Sequence, residues 1–199
     1  MTGDPRLLVY AGENADGNIV GKPAGYSDLP NDALGFTYAN ISPLGDKYLD
    51  PQLPGVIMSY AQLQFLMAEA ANEGKISGGI AAAKTYFDNG IIANFEFNGL
   101  SSGGSYAGGF SFANQADARQ KIATQMWIAL FGQGFETWTE WRRTGIPALT
   151  PAVEAGISTI PTRMFYPTTQ VSLNKDNYDT AKGMLNNGDN LDSKLFWTL

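Results

Sequence analysis

The stretch Phe135–Gly145, reading F-E-T-W-T-E-W-R-R-T-G, constrains this chain more than any other. Wound as a helix, it brings Phe135, Trp138 and Trp141 together at spacings of three and sets Glu136, Glu140 and Arg143 on another face. Two carboxylates one turn apart repel, so the pattern makes sense only where Arg142, Arg143 or a more distant cation compensates them. A helix with one aromatic side and one charged side needs neighbours on both. The long helix before it, the loop before that and the Pro-rich chain after it are the segments available to supply them.

The composition sets what can surround this helix. With 199 residues, 44% of them hydrophobic, the chain can bury one sizeable core or two small ones. A charged fraction of 16%, together with 23 Gly, 11 Phe and 9 Tyr, predicts long ordered loops held by aromatic packing. The net charge of -6 and the lack of a Lys/Arg cluster set nucleic-acid binding aside, because such binding rests on neutralising phosphates. With no Cys and no His, disulfides, thiol nucleophiles, Ser-His-Asp triads and nearly all zinc chemistry drop out, and no cofactor is expected. No window approaches the roughly 18 apolar residues of a membrane span, so any signal or lipid anchor is expected upstream of Met1.

Taken in order, residues 1–55 are rich in Gly, Pro and Asn. The run Leu7–Tyr10, a turn at Asp16-Gly17 and a second run at Ile19-Val20 predict a β-hairpin followed by irregular chain. Residues 56–199 read as a helical body with loops. Ser59-Tyr60-Ala61-Gln62 matches a capping box, with Leu63, Leu66, Met67 and Ala70 following at helical spacing and Gly74 as C-terminal cap. Ile80, Ala83, Phe87 and Ile91 mark a second helix to about Asn94, so the two predict an antiparallel hairpin of tetratricopeptide-like size. Asn98–Ala113 is too rich in Gly and Ser for a helix and predicts an exposed loop carrying aromatics. Asn114, with Asp117 three residues on, starts a third helix over Gln115–Phe131 with a stripe of Ile122, Met126, Ala129 and Leu130. Gly132 and Gly134 interrupt it before the Phe135–Arg143 helix, which Gly145 and Pro147 close. Ile160–Arg163 and Phe165–Pro167 are expected to be extended, and the last thirty residues to be mostly Asn/Asp/Gly turns. The fold class is therefore mainly α, a tetratricopeptide-like hairpin plus further helices with long ordered loops and little strand.

The succession Tyr60-Ala61…Phe65…Ala68-Glu69-Ala70, Gln125-x-Trp127…Phe135-Glu136…Trp138-x-Glu140-x-Arg142-Arg143-Thr144-Gly145-x-Pro147, Ile160-Pro161-x-Arg163-x-x-Tyr166-Pro167 and Asn174…Asn177-Tyr178 resembles the SusD/RagB family. Asp4-Pro5-Arg6-Leu7 looks like the start of that family's starch-binding-like branch. Family members are commonly more than twice this length, so the chain is expected to be a single SusD-like domain or the C-terminal portion of one. The resemblance implies a surface-exposed outer-membrane lipoprotein, anchored by a lipid outside this sequence. It would capture an oligosaccharide ligand without catalysis and pass it to a SusC-like TonB-dependent transporter. Peptide capture of the RagB kind, or simple docking on the transporter, are the alternatives.

Tyr106, Phe110 and Phe112 are the expected glycan-binding residues, since a Gly-rich loop can present rings to solvent; the competing reading folds them back onto the helical body. Trp127, Trp138 and Trp141 could stack on a sugar, but their helical spacing suits packing better. Glu136 and Glu140 could be offered as a glycosidase pair, yet the adjacent Arg and Trp residues suit an ion network with a guanidinium stacked on an indole. The oxygen-rich runs 13–18 and 186–192 match no EF-hand pattern and read as Asx and Gly turns, so no metal is expected. Arg163 is expected to pair with an acid of the Glu-rich helix.

Overall fold

A computed structural model describes residues 3–25, 35–152 and 156–197. Among them the chain forms nine helices: α1 Leu7–Tyr10, α2 Asp46–Leu49, α3 Tyr60–Asn72, α4 Gly79–Phe97, α5 Gly103–Gly108, α6 Gln115–Ala129, α7 Gly134–Thr144, α8 Thr168–Leu173 and α9 Lys175–Gly183. The only extended pairing among the described residues is an isolated antiparallel bridge between Ala11 and Leu44. The mainly helical class read from the sequence is what the chain adopts.

The helical hairpin α3–α4 is the foundation. Ser59 Oγ accepts a hydrogen bond from the Gln62 N–H at 3.1 Å, while Gln62 Oε1 is buried without a partner, so half of the expected capping box forms. Gly74 ends the helix region with a φ of 70°, as Gly145 does for α7, a conformation in which a Cβ is strained. The buried face of α3 is Ala61, Phe65, Ala68 and Ala71, not the predicted Leu63, Leu66, Met67 and Ala70. Leu63 is 42% exposed. Small residues take the inner face because α4 approaches closely. A Cβ on Gly90 would lie 2.8 Å from the Phe65 ring, so the ring occupies the space that a larger residue would need. On α4 the predicted Ala83, Phe87 and Ile91 are buried, joined by Phe95, and Ile80 at the helix start lies on the surface.

α6 completes the core with Ala118, Ile122, Met126 and Ala129, and Leu130 just past it. Its start is as read: Asn114 Oδ1 accepts the Asp117 N–H at 3.0 Å.

Two segments depart from the sequence reading. Leu7–Tyr10 is a single helical turn, not a strand, because Asp4 Oδ1 accepts the Arg6 N–H and the Asp4 carbonyl accepts the Leu7 N–H, which winds the chain at once. Arg6 is wholly buried: it pairs with Asp4 at 2.7 Å, donates to Asn94 Oδ1 of α4 at 2.9 Å and to Gln125 Oε1 of α6 at 2.6 Å. The turn at 14–17 does form, through Gly17 N–H to the Asn14 carbonyl. The tail also holds more helix than expected. Asp176 in the first turn, Lys182 in the last and a Lys175–Asp179 pair give α9 local support along a sequence dominated by polar residues.

Burial raises the Asp4 pKa, but the ion pair and hydrogen bonds from Arg6 outweigh it, and the carboxyl is held below its ordinary value. A depressed folded-state value contributes stability that is present above the unfolded value and is lost as pH falls through the folded one. The denaturant midpoint should therefore fall as pH drops below about 4, and the Asp4→Asn variant should lose less over that range. Arg6→Met, which strands a buried carboxylate, should cost about 3–5 kcal/mol, and the double variant Asp4→Asn/Arg6→Met less than the two single costs added.

Candidate functional site

The Phe135–Gly145 segment is the helix its spacing predicts. Arg143 is its hub. Its guanidinium takes both oxygens of Glu69 on α3 at 2.6 Å and both of Glu140 at 2.7 and 3.1 Å. Two carboxylates that would repel are thereby joined across two helices, and the Arg143 pKa is raised, chiefly by its hydrogen bonds to Glu69. Arg142 turns the other way. Its guanidinium lies 3.7 Å from the Trp138 ring centre and 4.6 Å from that of Trp197, and it donates to the Thr162 carbonyl.

Glu140 is buried in this clamp, whereas Glu136 is exposed. The pair does not flank a common cleft as the two carboxyls of a glycosidase must. Arg163 does not reach this helix. It pairs with Asp189 at 2.5 Å, because Thr162 and Arg163 N–H groups both donate to the Leu191 carbonyl and bring the tail alongside.

The three indoles of Trp127, Trp138 and Trp141 line one cleft of about 460 Å³ with Tyr10, Phe131, Leu149 and Ile160. Several of its polar side chains are already engaged. Trp138 Nε1 donates to the Pro161 carbonyl, Trp141 Nε1 to Pro147, Thr137 Oγ1 to Leu130 and Gln133, and the Tyr10 hydroxyl to Asn94 and Ile128. With these groups engaged the cleft offers a sugar's hydroxyls few partners, and it suits packing.

The loop rings are turned inward. Asn98–Ala113 contains α5, and the helical turn carries Tyr106 back against Phe95, with ring centres 5.1 Å apart. The Tyr106 hydroxyl donates to Asp4 Oδ2 at 3.0 Å. Phe110 and Phe112 lie edge-on to Phe87 at 5.3 and 5.1 Å. All three rings are part of the core's edge, because the short helix that the Gly-rich composition concealed directs them there.

The feature best shaped to hold an elongated ligand is a groove of about 1140 Å³ on the other side of the 131–134 connection. Residues 53–61, the end of α4 and the start of α7 form its walls. Tyr60 is 64% and Phe135 76% exposed, and both line it with Phe97, Tyr48 and Ile57. The Tyr60 hydroxyl and the Glu136 carboxylate have no protein partner among the described residues, and the backbone of residues 54–58 forms no hydrogen bond there. These residues escaped the sequence reading. Tyr60 and Phe135 stand at helical core spacings, and only the shift of the α3 inner face and the glycine break before α7 turn them outward. The oxygen-rich runs 13–18 and 186–192 form turns: Asn14 Oδ1 accepts from the Asp16 and Asn18 N–H groups, and Asn186 Oδ1 accepts from Lys194 N–H. No group of three or more acidic residues that could hold a metal occurs among the described residues.

A family model for SusD-like proteins, described as starch-binding and associating with the outer membrane, matches residues 1–167. No curated protein matches the chain. Among solved structures, a chitin-binding protein is 26% identical with a TM-score of 0.76, over 99% of this chain and 47% of its own. SusD homologues from Bacteroides fragilis and Bacteroides thetaiotaomicron are 27% and 26% identical with TM-scores of 0.75 and 0.74, each over 98% of this chain and 48% of their own. The chain thus spans about half the length of these structures.

The clamp has a direct check. Glu140→Gln should lower stability by about 1–3 kcal/mol in denaturant unfolding, since Arg143 keeps Glu69 while a buried carboxylate is lost. Tyr106→Phe should cost about 1 kcal/mol by removing the hydroxyl from Asp4.

Proposed function

This chain belongs to the SusD-like family of starch-binding proteins that associate with the outer membrane, and we propose that it binds oligosaccharide at the bacterial surface for uptake through a SusC-like TonB-dependent transporter. The observation that carries this reading is the groove beside the 131–134 connection, where Tyr60 and Phe135 expose their rings beside unpaired polar groups. Aromatic faces pack on the C–H faces of a pyranose, and the Tyr60 hydroxyl, Glu136 and the backbone of 54–58 stand beside them for sugar hydroxyls. Each such contact contributes on the order of 1 kcal/mol, so affinity is modest and grows with the number of sugar units held.

In this proposal the sugar-contacting role lies with the groove rings. Tyr106, Phe110 and Phe112 pack on Phe87 and Phe95 at the edge of the core and do not line the groove. The protein acts by binding, without catalysis. No described helix is long and apolar enough to cross a membrane; the proposed place of the protein at the outer membrane rests on the family it belongs to. The chain spans about half the length of the SusD-like structures it matches, and the groove is the binding surface proposed for that half.

Affinity electrophoresis in starch, chitin and other polysaccharide gels tests the assignment. Phe135→Ala and Tyr60→Ala should each lower retention about threefold to tenfold with unchanged unfolding midpoints, a loss of roughly 1 kcal/mol of stacking per ring. Tyr106→Ala and Phe110→Ala should lower the unfolding midpoint instead. Retention of peptides but of no glycan would transfer the groove to peptide capture, and retention unaffected by both groove substitutions would remove it from the site.

A further inference from the structure

We infer that the groove selects cationic amino sugars over acidic ones, with Glu136 as the residue that sets this preference; the inference rests on the groove being the glycan site. Apart from tyrosines, Glu136 is the single ionisable side chain among the residues lining the groove. It sits in the first turn of α7, exposed, with no ion-pair partner among the described residues. Every nearby cation is already held elsewhere. Arg143 is clamped to Glu69 and Glu140, and Arg142 lies against Trp138 and Trp197. Lys47 approaches the groove wall from behind, but its ammonium lies over the Phe97 ring at 3.9 Å and donates to the Phe97 carbonyl.

Of the two charges at the groove, the Lys47 ammonium is engaged by the Phe97 ring and carbonyl, and Glu136 is the one left exposed to a glycan, on a protein whose net charge is -6. A protonated amine on a bound sugar gains a charge-assisted hydrogen bond there, while a uronate is repelled. Because Glu136 stays hydrated, the pairing is a modest one and is screened by salt. It acts as a selector laid over the stacking that Tyr60 and Phe135 provide for any pyranose.

The test uses the full chain and three oligomers of equal length: glucosamine, N-acetylglucosamine and galacturonate, titrated by calorimetry at mildly acidic pH and low salt, where the sugar amines are protonated. The glucosamine oligomer should bind about twofold to fivefold more tightly than its acetylated counterpart, and the galacturonate oligomer more weakly than either. Glu136→Gln should bring the glucosamine and N-acetylglucosamine affinities together whatever it does to their common level, and raised salt should narrow the same difference. Glu73→Gln, an exposed acid beyond the other end of α3, should leave the preference in place. Equal affinity for the amine and acetylated forms, or a preference that survives Glu136→Gln, overturns the selectivity inference alone. Absence of binding to all three oligomers and to malto-oligosaccharide overturns the glycan groove itself.

Discussion

The guanidinium of Arg6 is the contact on which the rest of the helical body depends. It is wholly buried, and it ties the N-terminal turn to α4 through Asn94 and to α6 through Gln125, with Asp4 supplying the countercharge. A buried cation is tolerated only when its charge and its donors are matched, so the four residues are mutually obligatory. Tyr106 joins the same cluster from α5 through Asp4, and the Arg6 guanidinium lies 5.0 Å from the Phe95 ring centre and 5.5 Å from that of Tyr106. One side chain thus fixes where four helices meet.

A second guanidinium does comparable work at the surface end of the bundle. Arg143 binds α7 to α3 through Glu69, and Arg142 fastens the same helix to the segment carrying Thr162 and to Trp197. Held from both sides, α7 begins at Gly134, and its first turn projects Phe135 and Glu136 past the end of α6. The groove is the space left between that first turn, the end of α4 and residues 53–61. Its shape follows from the clamp, because Phe135 would have no fixed direction without it.

Much of this was legible in the residues. Asn114, Gly74 and Gly145 marked helix ends through local hydrogen bonding and backbone geometry, which depend on few neighbours, and all three serve as read. The Glu-Arg-Trp pattern of α7 foretold the Glu140–Arg143 pair and a guanidinium stacked on an indole, but Glu136, expected to be compensated as well, is exposed without an ion-pair partner among the described residues, and Arg143 takes Glu69 of α3 instead. The inner face of α3 was not legible. Leu63, Leu66 and Met67 are the larger hydrophobes, yet Ala68, Ala71 and Phe65 face α4 because the approach of Gly90 leaves room only for small residues and one ring. In the same way, the glycine-rich Asn98–Ala113 gave no helical signal, and contact with Phe95 and Asp4 accompanies its single turn of helix.

What the sequence determined by itself was the class of protein: helical, without thiol or imidazole chemistry, organised around an aromatic and charged helix, and related to SusD-like proteins. Those properties follow from residue identity and short-range spacing. Only the tertiary structure decided which aromatic rings face outward. Tyr106, Phe110 and Phe112 turn onto the core, Trp127, Trp138 and Trp141 line a cleft where the Trp138 and Trp141 N–H groups are already paired, and Tyr60 and Phe135 open onto a groove. The physical reason is that a ring's exposure is set by the neighbours on its face, and here those neighbours come from helices distant in sequence.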